Sequence, residues 1–207
     1  MKECDWSSDV CSSDLLEVRG DPMAEGPMEE AYMRFLSGEM DAFEIIVKEL
    51  QMPLIHFINR YIGNTSIAED LAEDVFVEIL LHRDRYNFKV KLKTYLFTIA
   101  RNTAIDYIRK NKRLAPYEVD EDFSPDTRLH ASPEEAYLAK EQRDTIVDLI
   151  QTVKGDQGTA LYLTLVENLS NEEAARVMKK SKKQIENLLF QGRRKIRTLI
   201  EKEGILT

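Results

Sequence analysis

The chain has 207 residues, 43% hydrophobic and 32% charged, enough apolar material for one or two small packed cores and too little for a large enzyme scaffold. Eight Gly and six Pro exclude collagen-like and wholly disordered classes, and the two cysteines, Cys4 and Cys11, lie together in a polar tail, which excludes a disulfide framework and a zinc-stapled fold. The net charge of −8 hides two sharp reversals of sign, described below where they fall.

Residues 1–27 hold a near repeat, Trp6-Ser7-Ser8-Asp9-Val10 followed by Cys11-Ser12-Ser13-Asp14-Leu15. The expectation is a disordered tail, either translated non-native sequence with a native start at or near Met23 or Met28, or a functional disordered arm. No apolar run suits a secretory signal or a membrane span, so no membrane insertion and a cytoplasmic location are expected.

A first helical domain is expected over 28–113. Phe43, Ile46, Val47, Leu50, Leu54, Phe57, Ile58, Tyr61 and Ile62 recur at three and four residues, the mark of a helix with one buried stripe, in which Pro53 is a candidate kink. Gly63-Asn64 ends it. Ser66 is the expected cap of the next helix, whose buried stripe is Ile67, Leu71, Val75, Phe76, Ile79 and Leu80 and whose other face carries Asp70, Glu73, Asp74 and Glu78. Residues 1–80 hold eighteen acidic against five basic side chains, whereas 89–113 hold eight basic against Asp106 alone. After a polar connection at 83–92 comes a third helix packed through Leu92, Tyr95, Leu96, Ile99, Ala100, Thr103 and Tyr107. Asn102, Asp106, Arg109 and Arg113 form a polar stripe along it, with Arg101 and Lys110 at its edges.

Pro116, Pro125 and Pro133, with Glu118, Asp120, Glu121 and Asp122 between them, predict an acidic flexible linker over 114–132. A second domain follows over 133–207, opened by the cap, proline and acids of Ser132-Pro133-Glu134-Glu135. Nothing in it alternates like a strand. Its last two helices, Asn171 to about Met178 and Lys182 to about Lys202, are joined by Lys179-Lys180-Ser181, the spacing of a helix-turn-helix. Leu169, Ala174, Ala175 and Val177 pack the first, and Ile185, Leu188, Leu189, Ile196 and Leu199 one face of the second. Its exposed face presents Lys182, Lys183, Gln184, Asn187, Gln191 and Arg194, cations for phosphates and amides for base edges. Residues 179–202 carry nine basic side chains against Glu186 and Glu201, and a polyanion senses such a patch within about 10 Å.

The fold class is therefore all-α: two small helical domains joined by an acidic linker, the second a helix-turn-helix. No Gly-rich phosphate loop, Ser-His-Asp set or Cys-His pair occurs, so neither catalytic residues nor cofactors are expected. Glu78 and His82 lack a second histidine motif, so no metal site is expected, and the lone His56 and His130 read as incidental. Phe97 and Tyr107 are core residues or, alternatively, platforms for unpaired bases.

Asp41-Ala42-Phe43-Glu44, Ala68-Glu69-Asp70-Leu71-Ala72-Glu73-Asp74-Val75-Phe76 and the run from Tyr95 to Arg109 resemble the second domain of bacterial extracytoplasmic-function sigma factors. Leu169-Ser170-Asn171-Glu172-Glu173-Ala174-Ala175 and Ser181 to Leu189 resemble the fourth domain of the same family. The resemblance spans roughly 30–202 and implies a dissociable subunit that binds core RNA polymerase, recognises promoter DNA and helps open it, subject to an anti-sigma factor. It implies that Asp70, Glu73, Asp74 and Glu78 face the polymerase. Lys89, Lys91 and Lys93 are then expected on phosphates, and Asn102, Asp106 and Arg109 near the melted element. Lys183, Gln184 and Asn187 are expected on bases, with Arg193 and Arg194 anchoring the backbone. Tyr95, Glu73, Asp74, Glu186, Gln191 and Gly192 depart from the family pattern. A helix-turn-helix regulator acting alone, with a helical sensing or dimerisation domain, is the other reading.

Overall fold

The computed structural model describes residues 26–114, 149–150 and 152–203; the expected tail up to residue 25, the acidic linker beyond Leu114, the capped start at Ser132-Pro133 and His130 lie outside them, while Pro27 of the expected tail opens a helix and Leu114 of the expected linker ends one. The described residues form helices and no strand: α1 (Pro27–Leu36), α2 (Met40–Ile62), α3 (Thr65–Leu81), a 3-10 turn (Arg83–Arg85), α4 (Leu92–Leu114), α5 (Gly155–Leu161), α6 (Asn171–Met178) and α7 (Lys182–Glu203).

The first unit is built around α2, which packs against α1, α3 and α4. Its stripe runs through Ile46, Leu50, Leu54, Phe57 and Ile58, all buried, and the helix passes through Pro53 without interruption. Gly63 adopts a left-handed conformation (φ 68°) and stops it, its N–H reaching the Asn59 carbonyl at 2.7 Å. Asn64, not Ser66, caps α3: its Oδ1 accepts from the Ile67 N–H at 3.1 Å. A cap needs extended backbone, which Asn64 has and the helical Ser66 does not. Leu80 also departs from expectation: it faces solvent, and Ala68 and Ala72 complete the buried stripe of α3 instead.

Two features of this unit escape a reading by periodicity. Helix α1 is a separate element, ended at Ser37-Gly38, and its Glu29 is buried with Oε1 accepting from the Leu92 N–H at 2.7 Å. A carboxylate from one helix thus caps the positive end of another. The connection at 83–92 is less polar in space than in sequence, because Tyr86 is buried and Tyr32, Tyr86, Phe88 and Tyr95 pack ring against ring at 4.6–6.1 Å. The Tyr32 hydroxyl donates to the Arg83 carbonyl at 2.8 Å, and burial pushes its pKa far above the usual range. That aromatic packing holds Phe88 at a φ of 59°, a conformation bulky residues avoid.

In the second unit α5 continues into a wider π-helical turn over Tyr162–Val166, closed by the Glu167 N–H on the Tyr162 carbonyl at 3.1 Å. Ser170 and Glu173 form a reciprocal capping box on α6. Lys179, left-handed at φ 51°, ends α6, and the Lys180 N–H reaches the Ala175 carbonyl at 2.9 Å. Helix α7 then lies across α5 and α6 with Ile185 and Leu189 buried. Gly192 sits where a Cβ would lie 2.7 Å from Leu161 Cδ1, so the closeness of α5 and α7 depends on its missing side chain.

Candidate nucleic-acid interface

On α3 the buried stripe turns Asp70, Glu73 and Asp74 to solvent. Glu78 is half-buried and already engaged, its Oε1 2.7 Å from Arg85 and its Oε2 3.7 Å from His82. Val77, Leu80 and Leu81 are exposed beside this acidic row, an apolar border of which the apolar spacing had assigned only Leu80 to the core. Among the described residues no group of three His, Cys, Asp or Glu gathers as a metal site.

On α4 the core stripe is Leu92, Leu96, Phe97, Ala100 and Ala104. Phe97 is fully buried, 5.0 Å from the Phe57 ring, which overturns a base-stacking role for it, while Tyr107 is half-buried. Arg101, Asn102 and Asp106 are half-buried and Arg109 and Lys110 exposed, so the polar stripe exists as a surface; Arg113 lies on the last turn of α4. Asp106 and Arg109 bind each other at 2.8 Å.

Helix α7 presents Lys182, Lys183, Asn187, Arg193 and Arg194 to solvent. Lys182 is tied to Glu172 of α6, which raises its pKa. Gln184 has structural work: its Oε1 accepts from the Ser181 N–H at 2.7 Å while Ser181 Oγ accepts from the Gln184 N–H at 3.2 Å, a second capping box. Gln191 is held by Gln157 at 2.7 Å. Of the amides expected on base edges, Asn187 therefore stays exposed without a structural duty, and the S-x-x-Q spacing before α7 was the available signal that Gln184 has one.

Lys91 and Lys93 lie elsewhere. They precede and open α4 where it packs against α6, so they stand in the seam between the two units. Lys91 Nζ is 3.2 Å from Glu173, and Lys93 Nζ is 2.8 Å from Glu167 Oε2 and donates to the Glu167 carbonyl at 3.0 Å. Lys89, the third of the set, is exposed on the loop before them. Across the same seam the Arg60 guanidinium donates to the carbonyls of Ile150 (3.3 Å) and Val153 (2.8 Å), and the Tyr162 hydroxyl donates to Pro53 at 3.0 Å. Desolvation lowers Arg60 to about 10. His56 faces Glu167 here, and burial depresses its pKa; the sequence had given it no role.

The tandem of a helical unit and a helix-turn-helix unit has a counterpart in known proteins. The family described as Sigma-70 region 2 matches residues 46–114, and that described as Sigma-70, region 4 matches residues 143–196. The RNA polymerase sigma factor CarQ of Myxococcus xanthus is 31% identical over 140 residues, which cover 68% of this chain and 78% of that protein. The chain belongs to the extracytoplasmic-function sigma factors. The ECF sigma factor SigW of Bacillus subtilis is 27% identical over 169 residues, covering 77% and 89% of the two chains. The fold also matches that of the sigma factor RpoE of Bartonella quintana, solved with the anti-sigma factor NepR, at a TM-score of 0.60 and 22% identity over 77% of this chain and 96% of that one. This sigma factor is thus a transcription initiation factor with promoter-recognition domains, and the reading as a regulator acting alone gives way. No helix among the described residues is long and apolar enough to cross a membrane.

Proposed function

We propose that the exposed α3 face docks this sigma factor on core RNA polymerase, with Asp70, Glu73 and Asp74 steering the encounter and Val77, Leu80 and Leu81 supplying apolar contact. Glu78 contributes through its pair with Arg85. The observation that carries this reading is one helix whose opposite side is wholly committed to the core while its free face joins an acidic row to an apolar border. Lys89, Lys91, Lys93, Arg101 and Lys110 hold promoter phosphates, and Asn102, Asp106, Arg109 and Arg113 line the path of the melted strand. Lys183 and Asn187 read base edges, Lys182, Arg193 and Arg194 fix the duplex backbone, and Gln184 positions the start of the reading helix. The factor performs no reaction of its own, needs no cofactor, works in the cytoplasm, and answers to an anti-sigma partner of the kind bound by the Bartonella protein.

Co-migration of the full chain with core polymerase at low salt tests the docking face. The Asp70→Lys/Asp74→Lys variant should bind core about tenfold more weakly, through slower association. Unchanged affinity and association rate would contradict the assignment.

A further inference from the structure

We propose that Glu186 makes this sigma factor read a cytosine in the upstream promoter element, through a carboxylate oxygen that accepts from the cytosine N4 amino group in the major groove. The inference rests on the reading of α7 as the helix that enters that groove, and it concerns the one side chain there whose charge opposes DNA.

Residues 182–197 carry six basic side chains and a single acid, Glu186. It is exposed, while Ile185, Leu189 and Gly192 face the core. Lys183, Glu186, Asn187 and Phe190 stand three and four residues apart and share the outward face of the helix. Among the described residues Glu186 closes no ion pair: Lys182, the cation one turn back, is bound to Glu172 of α6 and feels Glu186 only as a weaker charge. Nor does it serve the start of α7, where Ser181 and Gln184 complete the capping box.

A carboxylate carried toward a polyanion is repelled by the phosphates and, once pressed on base edges, loses its water. Phe190, one turn on and 70% exposed, lies next to it on the helix surface and helps to exclude that water. The carboxylate then needs a donor. In the major groove guanine offers two acceptors, thymine an acceptor and a methyl, and adenine a donor beside its N7 acceptor. Cytosine alone presents a donor with no acceptor on the same base. The charge that weakens binding to every sequence therefore penalises cytosine least at this position, which is discrimination by exclusion of the other bases.

The test is a promoter-library selection by core RNA polymerase loaded with the full chain, as wild type, Glu186→Gln or Glu186→Arg. Glu186 is exposed and outside both capping boxes, so both variants keep the fold. The wild type should favour cytosine by about tenfold at one base pair of the upstream element. At that same base pair Glu186→Arg should move the preference to guanine, whose O6 and N7 accept from a guanidinium, and Glu186→Gln to adenine, whose N6 and N7 match an amide. Variants that raise the yield from all promoters alike, with no base pair changing its preference, would overturn the assignment and leave Glu186 as a charge that only repels phosphate. A wild-type preference for any base but cytosine at the position that responds would overturn it too. Failure of the underlying reading is separately visible: Lys183→Ala and Asn187→Ala would then leave preferences throughout the upstream element unaltered, whatever the Glu186 variants do.

Discussion

Glu29 shows how much one side chain can organise. Its carboxylate is buried at the start of α4 and accepts from the Leu92 N–H, so Glu29→Ala leaves that donor buried without a partner and should cost about 2 kcal/mol in urea unfolding, whereas Glu29→Gln retains most of the stability. Gln184 and Asn187 stand three residues apart on the reading helix with different duties. Gln184→Ala should lower the stability of the helix-turn-helix unit by about 1 kcal/mol and leave base preference in a promoter-library selection unchanged. Asn187→Ala should leave stability alone and shift preference at particular base pairs by about 1–3 kcal/mol. His56 gives the seam a pH dependence. Above about 6.5 the imidazole is neutral in folded and unfolded chains alike. Below that the unfolded chain takes up the proton first, because burial depresses the folded pKa, so stability is full at neutral pH and falls as the pH drops. The urea midpoint should therefore decline between pH 7.5 and 5.5 more steeply in the wild type than in His56→Gln. None of these three roles follows from periodicity: Glu29 and His56 act on residues more than sixty positions away, and only Gln184 announced itself through local spacing.

The helices themselves were legible because they obey local rules. Apolar spacing gave the buried stripes of α2 and α4, and Gly63 and the Lys179-Lys180-Ser181 turn marked real ends. The misreadings occurred where neighbours decide. Leu80 continues the apolar spacing of α3, yet it faces solvent while its neighbour Ile79 is buried, and Asn64 rather than Ser66 caps the helix because only Asn64 has left the helical backbone. Gly192 is a further case. By propensity alone Gly192→Ala should stabilise α7 by about 1 kcal/mol. The Leu161 side chain stands in the way, so the alanine variant should show no gain in melting temperature, and Gly192→Val should lose about 2 kcal/mol through overpacking. A gain of the full propensity value in Gly192→Ala would show that α5 and α7 are not so closely apposed.

At the scale of the whole molecule, the alternation of charge along the chain marks two basic blocks in an acidic protein. It did not foretell that the first of them would meet glutamates of the second unit, because Lys93 and Glu167 are brought together by packing across 74 residues of sequence. The two units together make the chain a transcription initiation factor. The most direct measurement of that claim is run-off transcription from a promoter library by core RNA polymerase of the native host, with and without the purified full chain. The account predicts start sites that appear only when the chain is added and whose yield falls several-fold with Lys91→Ala/Lys93→Ala; the same start sites from core enzyme alone, or none with the chain present, would contradict it.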